Sequence, residues 1–343
     1  MTRADTLGVG LRLLLPLLLL GAAAAAAAAA APYTNLCVLF TDDATLETGF
    51  GRVAAGGVTD RLMLPEMPSY TVGVGAGVDA RGVFYVAADS AGEPPVYEID
   101  FALRNATFAR FSPPPGFPSS DGAFFVDNFD IDRVRGGQLM AAFVAEDGRS
   151  WAAIADVDTR ANRTTLRTNL TGGDYTSGAF EWKSGCTAAS AGLYWLVGVP
   201  ADLTHNISAV AFATDGSRGA EMARLVVEAP GLLHFDVFAI AVSARLPPPG
   251  LLALTTQGLL AAAFSAPGNS TVSWSTVLSY PAGRSPLELG LMLLDDSLER
   301  PLAFIGLGGG AQPSVYAVDI LAASVAAVYD LPGVDPNDFA FCS

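Results

Sequence analysis

Five carboxylates recur in one setting along the chain and are its best candidates for chemistry. They stand in Phe129-Asp130-Ile131, Phe180-Glu181-Trp182, Phe235-Asp236-Val237, Leu287-Glu288-Leu289 and Asn337-Asp338-Phe339. A sixth triplet, Tyr70-Thr71-Val72, carries threonine at the centre. In an extended strand the two flanking residues share one face and the central residue takes the other, so each triplet separates a polar group from mostly apolar neighbours. Carboxylates gathered in one place are not all ionised cheaply. They take up protons, pair with arginine or bind a cation. Oxygen donors of this kind suit Ca2+ or Mg2+. Asp130, Glu181, Asp236, Glu288 and Asp338 are therefore a candidate set for a divalent cation or a cationic ligand. The alternative is that each caps its own turn or meets an arginine such as Arg133.

Other chemistry is sparse. Of two histidines, His234 lies two residues before Asp236, on the same side of an extended strand, and is the candidate general base. The alternative role is a hydrogen-bonded structural histidine. His205 precedes a glycosylation sequon. No Gly-x-Ser-x-Gly, His-Glu-x-x-His or Cys-x-x-Cys occurs, so familiar nucleophilic or zinc catalysis has no support. Asp127 to Asp132 superficially resembles a calcium loop, but it lacks the sixth-position glycine and the twelfth-position glutamate of an EF-hand. The glycine-rich stretches 73–77 and 306–310 open no helix and read as turns and crowded strand starts.

The elements that must position these residues are strands. Val83-Phe-Tyr-Val-Ala-Ala-Asp89 has counterparts beginning at Leu36, Leu139, Leu193, Leu251 and Leu302. Starts at 36, 83, 139, 193, 251 and 302 give a loose period of the length expected of a four-stranded unit. The first unit predicts strands over 70–77, 83–88, 95–101 and 106–111, with Gly, Pro, Asn and Asp in the gaps. Third strands end in aspartate in Val96-Tyr-Glu-Ile-Asp100, Ile154-Ala-Asp-Val-Asp158 and Val315-Tyr-Ala-Val-Asp319, where the carboxylate can accept from the next turn. In the fourth unit the third strand is expected around Trp274, with that signature lost. The class is all-β. Five units run from about 70 to 333, and fragments at the two ends supply a sixth.

Period, strand order and paired terminal fragments resemble the six-bladed β-propeller superfamily, the broad group of TolB-like, NHL and YWTD-type propellers. No YWTD or NHL signature is present, so no particular family follows, and five or seven blades remain open. The resemblance implies one domain over 32–343, with first strands around a channel and the five carboxylates at its mouth. It also implies that the terminal strands share a blade, which places Cys37 beside Cys342 as a disulfide and leaves Cys186 a quiet thiol. The alternative is three unpaired core cysteines.

Residues 1–31 read as a signal peptide: Arg3 and Arg12, an apolar segment from Leu11 to Leu20, then alanines to Ala31. An uncleaved signal anchor is the alternative. The expected location is extracellular, or else an endomembrane lumen or a membrane-anchored state. Sequons at Asn105, Asn162, Asn169, Asn206 and Asn269 agree with a glycoprotein. Acidic side chains outnumber basic ones 34 to 19, for a net charge of −15, which argues against nucleic acid and anionic lipid as partners. Lys183 is the only lysine. The functional expectation is a secreted, monomeric, non-catalytic binding module for a protein, glycan or small molecule, with Ca2+ or Mg2+ as the candidate cofactor. The alternative is a metal-dependent, lactonase-like hydrolase that uses the carboxylates and His234. A purely structural surface protein is the third reading.

Overall fold

Each apolar run in the chain is followed within a few residues by turn-forming Gly, Asn or Asp, and the product is a succession of antiparallel hairpins. The computed structural model describes residues 35–64, 73–78, 82–88, 95–110, 124–132, 138–145, 152–158, 161, 163–169, 180–188, 193–200, 206–213, 221–228, 236–243, 246, 250–263, 270–287, 291–295 and 300–342. For 73–78, 87–88, 95–96, 109–110, 124–145, 152–154, 166–228 and 270–272, the description within those ranges is of the backbone. The leader, residues 1–31, lies outside the described residues. Among the described residues there is no α-helix, and no helix is long and apolar enough to cross a membrane.

Six sheets follow in chain order. Strands β1 (Leu36–Asp42), β2 (Thr48–Ala54) and β3 (Gly57–Met63) belong to the first. The second comprises β4 (Gly73–Val78), β5 (Val83–Ala88), β6 (Pro95–Asp100) and β7 (Asn105–Arg110). The third is β8 (Phe124–Asp132), β9 (Gln138–Ala145), β10 (Ala152–Asp158) and β11 (Arg163–Asn169). Strands β12 (Phe180–Ala188), β13 (Leu193–Pro200), β14 (Asn206–Ala213) and β15 (Glu221–Glu228) make the fourth. The fifth holds β16 (Val237–Ser243), β17 (Gly250–Thr255) and β18 (Gly258–Ala263). Two short strands come next, β19 (Ser270–Ser273) and β20 (Ser275–Leu278). In the sixth sheet, β21 (Ser285–Pro286) and β22 (Met292–Asp295) both pair with β23 (Leu302–Gly308), followed by β24 (Ser314–Asp319) and β25 (Ser324–Asp330). The last strand, β26 (Val334–Phe341), returns to pair with β1, so the first sheet reads β26-β1-β2-β3.

The sequence expectation for the first unit therefore holds to within a few residues, and the terminal strands do share a sheet. Cys37 and Cys342 are bonded there, with Cα atoms 5.5 Å apart and 305 residues between them in sequence. Both cysteines are buried. The leading strands of the sheets touch one another in the order β26, β4, β8, β12, β16, β22 and back to β26.

Side chains from adjacent sheets supply the core, two residues apart along each strand as the pleat requires. Cys37, Leu39 and Phe50 of the first sheet pack with Phe84, Val86, Tyr97 and Ile99 of the second. The Phe50 and Phe84 rings lie 4.6 Å apart between centroids. Leu252 and Leu254 of the fifth sheet pack with Ala303, Ile305, Leu307, Tyr316 and Val318 of the sixth. Phe304, on the opposite face of β23, meets Phe341 of β26 at 6.2 Å between ring centroids. Strands buried on both faces have no reason to alternate polar and apolar residues, which is why β17 and β24 are buried throughout.

Third-strand aspartates do what their position predicts. Asp100 Oδ1 accepts from Leu103 N at 2.9 Å, Asp158 Oδ1 from Ala161 N at 3.0 Å, and Asp319 Oδ1 from Leu321 N at 3.1 Å and Ala322 N at 2.8 Å. In the first sheet Asp42 accepts the same way from Ala44 and Thr45. The fourth unit corrects the expectation. Its third strand is not at Trp274 but at Gly258–Ala263, because Thr255 to Gly258 forms a tight turn in which Gly258 has φ +142° and its carbonyl accepts from Thr255 Oγ1 at 2.9 Å. The segment around Trp274 instead straps two sheets together. Strand β19 runs parallel to β15 at the outer edge of the fourth sheet, and β20, one residue later, runs antiparallel to β18 in the fifth.

Candidate functional site

The leading strands carry the candidate carboxylates, but not at equal heights. Glu181 is the second residue of β12 and Asp236 lies immediately before β16. Asp130 is the seventh of nine residues in β8, and Asp338 is the fifth of eight in β26. Asp130 and Asp338 thus lie well inside their strands, and Glu181 and Asp236 at the start of theirs. β8 begins five residues earlier than the Phe129 triplet, because the apolar Phe124, Phe125 and Val126 also enter the sheet. His234 and Glu288 lie outside the described residues.

A second regularity on the same strands was invisible in the sequence. Pairing between the leading and second strands slips at one level in the sheets. The slip falls at Val74–Gly75 in β4, Asp127 in β8, Lys183 in β12, Phe238 in β16 and Asn337 in β26. Each faces the fifth residue of the second strand or its immediate neighbour. In the sixth sheet the break is wider. β21 and β22 are separate, and Gly306 bonds across the gap, accepting from Leu287 N at 3.2 Å and donating to Leu291 O at 2.9 Å. A Cβ at Gly306 would sit 3.0 Å from the Leu287 and Leu291 side chains, a tight contact. Bulges bend a strand, add twist and re-aim the residues around them.

Measured from this level, Glu181 and Asp236 each lie two residues before the bulge, on strands that touch. Asp338 lies one residue after it and Asp130 three after. At about 3.3 Å per residue, Asp130 and Glu181 differ by roughly 16 Å of strand. Glu181 and Asp236 thus hold the same register relative to the bulge of their strands, and Asp130 another.

Asp236 and Asp338 are the candidates with described side chains. Asp236 Oδ1 accepts from the Thr256 hydroxyl at 3.2 Å, and its carbonyl accepts from Thr256 N at 2.8 Å. Asp338 Oδ1 accepts from Phe339 N at 2.7 Å. Both carboxylates thus cap local backbone or a neighbouring hydroxyl. Among the described residues no three His, Cys, Asp or Glu side chains are grouped to hold a metal ion. Among the described residues, burial pushes the Tyr280 phenol well above its usual range, and at the seam the Asp42 carboxyl is held low. The Thr45 and Ala44 amides hold the Asp42 carboxyl below the usual range; burial opposes them, and the Arg61 guanidinium at 2.9 Å adds a lesser lowering. Of the sequons, Asn105 is exposed at the start of β7, while Asn169 ends β11 and Asn206 begins β14. Asn162 and Asn269 lie outside the described residues.

No protein-family model and no curated protein sequence matches the chain. Solved structures do resemble it. A protein from Lactobacillus plantarum aligns with TM-score 0.50 at 12% identity, covering 90% of this chain and 100% of that one. A putative 6-phosphogluconolactonase from Bacteroides uniformis aligns with TM-score 0.52 at 8% identity, over 90% and 99% of the two chains. The hydrazine synthase of Kuenenia stuttgartiensis aligns with TM-score 0.53 at 9% identity, over 91% of this chain and 47% of that one. Identities this low speak to the fold alone, which is all-β and propeller-like.

Proposed function

We propose that this chain is a secreted six-bladed propeller that acts as a non-catalytic binding module, with its ligand on the acidic end of the space ringed by the leading strands. The circular order of contacts among those strands, and the return of β26 to β1, support six blades. A disulfide is compatible with an oxidising, extracellular setting, and the leader and sequons fit secretion and glycosylation. The observation that carries binding over catalysis is the state of Asp236 and Asp338, whose carboxylates are engaged by their own surroundings. A catalytic cation would instead require several oxygens converging at about 2.3–2.6 Å.

The hydrolase reading keeps Asp130, Glu181, Asp236, Glu288 and Asp338 as metal ligands and His234 as base. Its support is a fold in common with a putative lactonase, and fold does not carry activity from one protein to another. Thermal melts in Ca2+, in Mg2+ and in chelator, with a lactone-hydrolysis assay beside them, separate the two. The binding-module reading expects no turnover, whether or not Ca2+ or Mg2+ shifts Tm. Stabilisation by Ca2+ together with lactone opening would overturn it.

A further inference from the structure

The fourth strands of the sheets share an irregularity that one of them lacks. In β3, Asp60 and Arg61 stand across from Gly51 alone, and β11, β15, β20 and β25 each carry an extra residue, at Arg167, Met222, Val277 and Ala326. Bulges twist an edge out of line and hinder pairing with a foreign strand. Strand β7 has none: Asn105 to Arg110 pair with Asp100 to Pro95 in unbroken register. Among the described residues β7 pairs with β6 alone, so its other edge presents a regular row of peptide groups.

The same strand is apolar where it is regular. Its interior, Ala106-Thr107-Phe108-Ala109, carries no charge. Phe108 is 46% exposed, and Leu103 in the preceding turn is 77% exposed. The strand opens with the sequon Asn105-Ala106-Thr107, whose Asn105 and Thr107 are both exposed. Of the other sequons with a described asparagine, Asn169 ends the bulged β11 and Asn206 begins β14, inside the fourth sheet. We propose that an N-linked glycan on Asn105 guards the β7 edge and keeps two copies of the chain from pairing through it. The proposal rests on the secreted reading, which brings the sequon to the glycosylating machinery. In the transfer, Asn105 Nδ2 loses a proton and bonds the anomeric carbon of a lipid-linked oligosaccharide diphosphate, whose diphosphate leaves. A pairing strand approaches to about 4.8 Å, a gap that a branched glycan rooted in the edge strand does not leave. Without the glycan, two β7 strands meet antiparallel along uncharged residues.

The full chain is expressed in a glycosylating eukaryotic cell and recovered from the medium. Peptide mass spectrometry reads occupancy of Asn105, and sedimentation reads oligomeric state. Wild type and Thr107→Ser, which keep the sequon, should be occupied and monomeric. Asn105→Gln and Thr107→Ala, which lose it, should shift to dimers or larger species. Thr107→Lys also loses the sequon but places a charge on the edge, and should stay monomeric. Association of Thr107→Lys, or of Asn206→Gln, would assign the glycans a general solubilising role and overturn the proposal. Monomeric Asn105→Gln and Thr107→Ala, or an unoccupied Asn105 in secreted wild type, would overturn it too. A chain retained in the cell with every sequon unoccupied overturns the secreted reading as well, while an occupied Asn105 whose loss leaves the monomer intact overturns the edge role alone.

Discussion

The Asn337 amide donates from Nδ2 to the Thr41 hydroxyl at 3.0 Å, tying the bulge of the last strand to the first strand across 296 residues of chain. Asn337 is 6% exposed, so its amide has little access to water if Thr41 is removed. Thr41→Val should cost about 1–3 kcal/mol, the penalty of stranding a buried donor. Thr41→Ser, which keeps the hydroxyl, should recover most of it. Urea unfolding checks this, with the midpoint shifting and the m-value constant.

The disulfide beside this bond closes almost the whole described chain into a loop. In the chain-entropy picture, opening a loop of 305 residues removes about 5–6 kcal/mol of stability. The double variant Cys37→Ser/Cys342→Ser should unfold at markedly lower denaturant, and reduction of the wild type should reproduce the change. Equal midpoints for oxidised and reduced protein would show that the seam holds without the bond.

Gly258 is held at φ +142° in the turn that sets the third strand of the fifth sheet, and a Cβ there would strike the Leu278 carbonyl of β20. Gly258→Ala should therefore cost about 1–3 kcal/mol. Gly56→Ala is the control, since nothing lies within 4 Å of its added Cβ. Its unfolding free energy should stay within about 0.5 kcal/mol of wild type.

The Asp42 carboxyl is held low by the Thr45 and Ala44 amides and by Arg61, so its ionised form is favoured by folding. Its contribution is present above the unfolded carboxyl pKa near about 3.9 and is lost as pH falls through the lower folded value. The Tm gap between wild type and Asp42→Asn should be full at pH 6–7 and close in acid, as read from melts over a pH series. A gap independent of pH would assign the aspartate a purely geometric role.

The strands were legible because residues buried on both faces leave long apolar runs, as in Val83–Ala88, which forms β5 with the bounds the sequence predicts. Asp100, Asp158 and Asp319 were legible because a carboxylate at a strand end has local amides to accept from. The seam could be read from what each end lacked. The level of the carboxylates could not, because a bulge adds one residue without changing composition, and Asp127 moves Asp130 relative to β9 in a way no spacing reveals. The parallel strand β19 was hidden for a related reason: Ser270 to Leu278 reads as one β-run, and only tertiary pairing divides it at Trp274 between two sheets.

That division has a mechanical consequence. A segment hydrogen-bonded to the fourth sheet on one side of Trp274 and to the fifth on the other makes the rims of those sheets interdependent. Fraying of either outer edge must pull on the other, so hydrogen exchange at β15 and at β18 should rise and fall together, whereas edges without such a tether can open singly.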